Sequence, residues 1–234
     1  MDGRNGTAGR KIIGLLVAVE MDSVFRRYGE PDRTERRGGF EVFVYEDEER
    51  LLCVIHSGIG ELAAAAATEL LTDRYGAELV VNFGVVGGLT EEMAQTKTCV
   101  VEKVVHYDFD TSAYDNTVPG QYFEYPDVYL PATASLVKRA SEIAPELKVV
   151  TCASADKFVD GGEAKRSLHE RWGADICEME AAAVVLTCNR SKVPCLLIKT
   201  VSDGLMQGGE DFGTALRHTS ELCLAVADKI IREL

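Results

Sequence analysis

Three apolar runs, Ile12 to Val19, Leu79 to Phe83 and Cys195 to Ile198, constrain this chain more than any other feature. Runs of that kind read as strands buried on both faces, which belong to a sheet covered by helices. Residues 40–45 and 51–56 flank the acidic turn Glu46-Asp47-Glu48-Glu49 and predict a hairpin, while 97–105, 147–153 and 174–177 are extended. Helical patterns cover residues 61–75, 132–144, 163–171, 180–190 and 212–234, the last with a stripe at Leu216, Leu222, Val226 and Ile230. Strands alternating with helices predict an α/β fold: a single domain, residues 11–234, with a central mixed β-sheet flanked by helices. The polar, glycine-rich residues 1–10 are expected to form a disordered arm. A loop from His106 to about Pro131 is long enough to suggest a functional role.

Composition removes several classes of function. The formal net charge of -13 is spread along the chain, so phosphate backbones and anionic membranes are repelled. Arg10-Lys11 before Ile12 to Val19 imitates a secretory signal, but the run ends in Glu20-Met21-Asp22 without a cleavage site. No segment is long enough to span a membrane. Seven cysteines, mostly within apolar runs and without a CxxC pair, read as free thiols in a reducing, cytoplasmic setting. The four histidines lack ligand spacing, so neither a metal nor any other cofactor is expected.

The chemistry gathers where strands end. Glu20 and Asp22 follow the first strand, Asp156 and Asp160 flank Phe158, Glu178-Met179-Glu180 opens a helix, and Asp203 ends an apolar strand. Carboxylates at such places either stabilise a helix start or act on a ligand. Ser57-Gly58-Ile59-Gly60 and Gly84 to Gly88 admit two readings, a tight turn needing positive φ or a close backbone approach to a ligand.

In order along the chain, Ile13 to Ala18, Ser57 to Gly60, Asn82 to Leu89, Asp108-Phe109-Asp110, Gly120-Gln121, Phe158-Val159, Glu178 to Ala181 and Val201-Ser202-Asp203 form a set. With these landmarks the sequence resembles the purine nucleoside phosphorylase/uridine phosphorylase superfamily, and most closely its methylthioadenosine/S-adenosylhomocysteine nucleosidases. The resemblance implies hydrolysis of the N-glycosidic bond of a purine nucleoside. Asp203 would protonate the leaving purine, and Asp22 falls where these nucleosidases carry the glutamate that activates water. Glu180 and Met179 would bind the ribose, while Phe158, Val159, Ser202, Lys199, Val85, Val86 and Gly87 complete the expected substrate contacts.

The residues also depart from the family pattern. Asp22 is one methylene shorter than the expected glutamate, which leaves Glu20 as the alternative group for the water. Lys199 replaces an arginine, and Val85-Val86 replace a small polar pair. The chemistry needs one acidic group that holds a proton and another that does not. A phosphorylase, using phosphate as nucleophile, is the alternative, and a nucleoside-binding module without catalysis is the second. Relatives of this type form homodimers in which the loop from His106 to Gln121 covers the partner's pocket, with Tyr107 and Tyr114 on its 5' side.

Overall fold

The computed structural model describes residues 9–204 and 212–234, so residues 1–8 of the expected arm lie outside the described residues. The chain runs β1 (Lys11–Val17), α1 (Met21–Tyr28), β2 (Arg33–Arg37), β3 (Phe40–Glu46), β4 (Arg50–His56) and α2 (Glu61–Glu69), which a π turn at Leu70–Arg74 extends. It continues as β5 (Leu79–Gly88), β6 (Thr98–His106), α3 (Ser112–Asp115), β7 (Tyr129–Pro131), α4 (Ala134–Ile143) and β8 (Lys148–Ser154). Last come α5 (Gly162–Trp172), β9 (Ile176–Glu178), α6 (Ala181–Ser191), β10 (Cys195–Asp203) and α7 (Phe212–Glu233).

The apolar runs become the centre of one mixed sheet, ordered β10-β6-β8-β9-β5-β1-β4-β3-β2. Strand β5 lies parallel to both β1 and β10, and β10 lies antiparallel to β6. Because β10 also pairs with β5, strands β5, β10, β6, β8 and β9 close into a ring. Every residue of β10 is buried, as its unbroken apolar run predicts.

Helix α1 is not among the expected helices, α3 and β7 fall within the expected loop, and two further elements differ in an instructive way. Arg33–Arg37 forms an edge strand, antiparallel to β3, although its sequence RTERR contains no apolar residue. Charge is what an edge strand needs to avoid pairing with other chains, so periodicity could not reveal it. In α7 the buried stripe is Cys223, Leu224, Ala227, Ile230 and Ile231, whereas Leu222 is exposed. The helix is rotated from the expected face so that Asp228, also buried, meets Arg27 and Tyr28 of α1. Among the described residues no helix is long and apolar enough to cross a membrane, and all seven cysteines are buried and free.

Candidate active site

One cavity of about 130 Å³ collects the carboxyl ends of β1, β5, β9 and β10 with the loops that follow β4 and β8. Glu20, Val85, Val86, Gly87, Phe158, Val159, Met179, Glu180 and Asp203 line it, joined by Glu178, Cys177, Ile59 and Lys157. A wider hollow of about 370 Å³ beside α7 is a poorer candidate, because its charges are engaged with one another. There Arg50 pairs with Asp47 and Arg232 with Asp228.

Glu20 reaches the cavity because of a glycine. Its carboxylate accepts the N–H groups of Val19 and Val85, each at 3.0 Å. A Cβ on Gly84 would lie 2.8 Å from its Oε1, so a side chain there would shift the carboxylate from this position. Asp22 lies on α1 with its side chain exposed and does not line the cavity. The placement expected for Asp22 is therefore corrected. Ala18, Val19 and Glu20 form the β1–α1 connection at the cavity, and two residues further the helix has already turned outward.

Glu180 precedes the first turn of α6, and its Oε1 accepts the Gly60 N–H at 2.8 Å. Beside it, the Glu61 N–H donates to Asp156 Oδ1 at 2.7 Å. Gly60 has φ +105°, and a Cβ there would stand 2.7 Å from the same Asp156 oxygen. The glycine segment thus serves a strained connection and a close approach at once, but the anions at the start of α2 belong to the protein. Burial, then the charge of Glu178, pushes the Glu180 carboxyl up to about 7.

Glu178 sits behind this clamp. Its two oxygens accept the N–H groups of Glu180 and Ala181 and the Lys199 ammonium, which is 3.0 Å away. Lys199 is fully enclosed and does not line the cavity, so its contact is with Glu178 and the expected substrate contact is corrected. A replacement of arginine by lysine is accommodated here as a point charge on a carboxylate. Burial opposes the charge on Lys199, yet the fields of Glu178 and Glu180 hold its ammonium above the ordinary lysine range.

A third carboxylate, unforeseen in the sequence, completes the group. Ser154 Oγ lies 2.5 Å from Glu61 Oε1 and 2.6 Å from Glu178 Oε1, but a hydroxyl has a single proton to give. Glu178 is already supplied with N–H donors, whereas among the described residues Glu61 receives the Ala183 N–H alone besides this contact. Burial, then the charge of Glu178, pushes the Glu61 carboxyl up to about 8. The raised Glu61 carboxyl favours the arrangement in which a protonated Glu61 donates to Ser154 and Ser154 donates to Glu178.

Asp203 owes its direction to a bulge. The register of β10 against β5 shifts between Val201 and Asp203, so that Asp203 stands opposite Gly87. Its Oδ1 accepts the Ser202 hydroxyl at 2.8 Å and its Oδ2 accepts the Lys165 ammonium at 2.6 Å. Ser202 faces Val86 O and Asp203 without lining the cavity, which corrects its expected substrate contact. The neighbour of Asp203 is thus a cation from α5, a contact absent from the expected site. A faint signal existed, since Lys165 precedes Trp172 by seven residues and shares its helix face.

The rim of the cavity is apolar: Ile59 and Phe158 are both more than half exposed. Tyr114 is 92 % exposed on the long loop, as an aromatic reaching beyond its own chain would be. Tyr107 differs from expectation, because it packs inward on the cluster containing Leu89, Trp172 and Cys177. The loop itself is held by the stacked rings of Phe109 and Tyr122, 4.0 Å apart.

Comparison with known proteins agrees with this geometry. Residues 13–232 match the family model described as the phosphorylase superfamily. A 5'-methylthioadenosine/S-adenosylhomocysteine nucleosidase of Hydrogenovibrio crunogenus is 32% identical over 198 residues, covering 82% of this chain and 84% of its own. An aminodeoxyfutalosine nucleosidase of Campylobacter jejuni is 28% identical over 198 residues, covering 81% of this chain and 83% of its own. The crystal structure of a Helicobacter pylori 5'-methylthioadenosine/S-adenosylhomocysteine nucleosidase in complex with a pyrrolidinol ligand superposes with a TM-score of 0.90 at 27% identity. That match covers 97% of this chain and 100% of the other.

Proposed function

Because the chain belongs to the phosphorylase superfamily, we propose that it is an N-glycosyl hydrolase cleaving a purine nucleoside, with 5'-methylthioadenosine and S-adenosylhomocysteine as expected substrates. The observation that carries water over phosphate is the set of carboxylates around the cavity. Glu20, Glu178, Glu180 and Asp203 line it, with Lys157 the one cation among the described lining residues, while Lys165 and Lys199 stand behind Asp203 and Glu178. The N–H groups that begin α2, a natural anion site, are given to Glu180 and Asp156. A phosphate charge about 4 Å from a carboxylate is disfavoured by roughly 4 kcal/mol per pair at an effective dielectric near 20.

In this reading the purine lies on Phe158 with its edge on the Val159 backbone, and Glu180 and Met179 hold the ribose. Asp203 gives its proton to the base as the C–N bond breaks, and the bonding electron pair leaves with the base. Positive charge then builds on the sugar, where the surrounding carboxylates stabilise it. Glu20 takes a proton from the attacking water as the new C–O bond forms. One proton is lost from Asp203 and one gained at Glu20, so the site returns to its starting state by a single proton return.

The test is incubation with methylthioadenosine, S-adenosylhomocysteine, adenosine and inosine, with and without phosphate, and identification of the sugar. Free base and free thioribose, independent of phosphate, are expected. A phosphorylated sugar would turn the reading to a phosphorylase, and intact nucleoside after long incubation would leave only a binding module. We also propose a homodimer in which the loop bearing Tyr114 covers the partner's cavity. A monomer by light scattering at micromolar concentration would refute it. The buried free thiols favour a reducing cytoplasmic setting.

A further inference from the structure

Lys165 is a fully buried lysine whose ammonium stands against Asp203 and the backbone at the end of β10. Its Nζ donates to Asp203 Oδ2 at 2.6 Å, to the Gly204 carbonyl at 2.9 Å and to the Asp203 carbonyl at 3.4 Å. A buried ammonium is costly to desolvate, and apolar replacement of buried ion pairs often leaves stability unchanged or raised. Fold stability alone is therefore a weak reason for this charge. Its position suits the reaction better. Once Asp203 has lost its proton to the leaving base, a carboxylate remains in a site shielded from water, and Lys165 already stands against one of its oxygens.

We propose that Lys165 is a positioning residue for the acid step: it fixes the Asp203 carboxyl and stabilises the carboxylate left behind by proton transfer. This inference rests on Asp203 being the proton donor. Lys165 keeps its own protons throughout. The proton passes from the Asp203 carboxyl to a purine nitrogen, the C–N electron pair leaves with the base, and water supplies the new C–O bond. Preorganised charge of this kind lowers the barrier without reorganisation at the moment of reaction.

The experiment is a cycle of Lys165→Met, Asp203→Asn and the double variant, with kcat and KM measured on methylthioadenosine. Lys165→Met is expected to lower kcat by about 10- to 100-fold with KM changed less than about threefold. Added to Asp203→Asn, it should change kcat by less than about twofold, because its effect runs through a carboxyl already gone. Lys165→Gln, neutral but still a hydrogen-bond donor, should behave like Lys165→Met and provides a second variant with a polar replacement. Additive losses, a loss confined to KM, or near-normal kcat in a folded Lys165 variant would overturn the proposal. So would single Lys165 variants that fail to fold while the double variant folds, which would make Lys165 a structural counterion. Near-normal kcat in Asp203→Asn would instead remove Asp203 as the donor, a separate failure visible in that arm alone.

Discussion

The cavity is backed by two buried lysine–carboxylate pairs, and their difference explains how one site treats two acids differently. Lys199 holds Glu178, which also receives two backbone N–H groups and the Ser154 hydroxyl. Lys165 holds Asp203, which among the described residues also accepts the Ser202 hydroxyl. Glu178 accepts donors on both oxygens. Among the described residues Asp203 accepts fewer donors, and it lies at the cavity wall where a substrate can reach it. A saturated carboxylate supports its neighbours, while a sparsely bonded one can do chemistry.

The comparison can be broken in order of expected effect. Asp203→Asn should reduce kcat by about 1,000-fold, within the usual range for a general acid, with circular dichroism unchanged. Lys199→Met should act on the fold instead, since it strands Glu178 as a buried unpaired charge. A loss of about 3–5 kcal/mol is expected from urea denaturation. A smaller loss there than for Lys165→Met would reverse the roles assigned to the two pairs.

The Glu61 proton gives a finer probe. Glu61 has its carboxyl pushed from 4.5 to about 8, so the folded chain holds a proton that the unfolded chain has released. Its contribution to stability is full below about 4.5 and is lost as pH rises through about 8. Across that window a single retained proton makes stability fall by about 1.4 kcal/mol per pH unit. Glu61→Gln should flatten the slope by about that amount in denaturation series at several pH values. An unchanged slope would remove the proton from the Glu61–Ser154–Glu178 chain. The smallest effect belongs to Asp22→Ala, with activity within about twofold and stability within about 0.5 kcal/mol, as for an ordinary exposed site. A large loss of turnover in this variant would return Asp22 to the mechanism.

Much of the fold was legible because β1, β5 and β10 are buried on both faces and so carry continuous apolar runs. The carboxylates Glu180 and Asp203 were legible because they stand where strands end. What stayed hidden depends on contacts distant in sequence. Lys165 meets Asp203 only because the strand ring brings α5 to the end of β10, and Glu61 meets Glu178 only through Ser154. Asp22 was misplaced for a local reason, since a two-residue step into α1 turns a side chain from cavity to solvent. The edge strand Arg33–Arg37 was missed because charged residues carry no burial period.

Gly84 gives the site a vulnerability of its own. Because the Glu20 carboxylate occupies the space a Cβ would claim, position 20 in the β1–α1 connection and position 84 in β5 are bound into one unit. A single methyl group at 84 would displace the carboxylate while leaving every acidic residue in the sequence intact. A relative could thus keep all its carboxylates and still, through an alanine at this position, hold the one at position 20 away from the Val85 N–H.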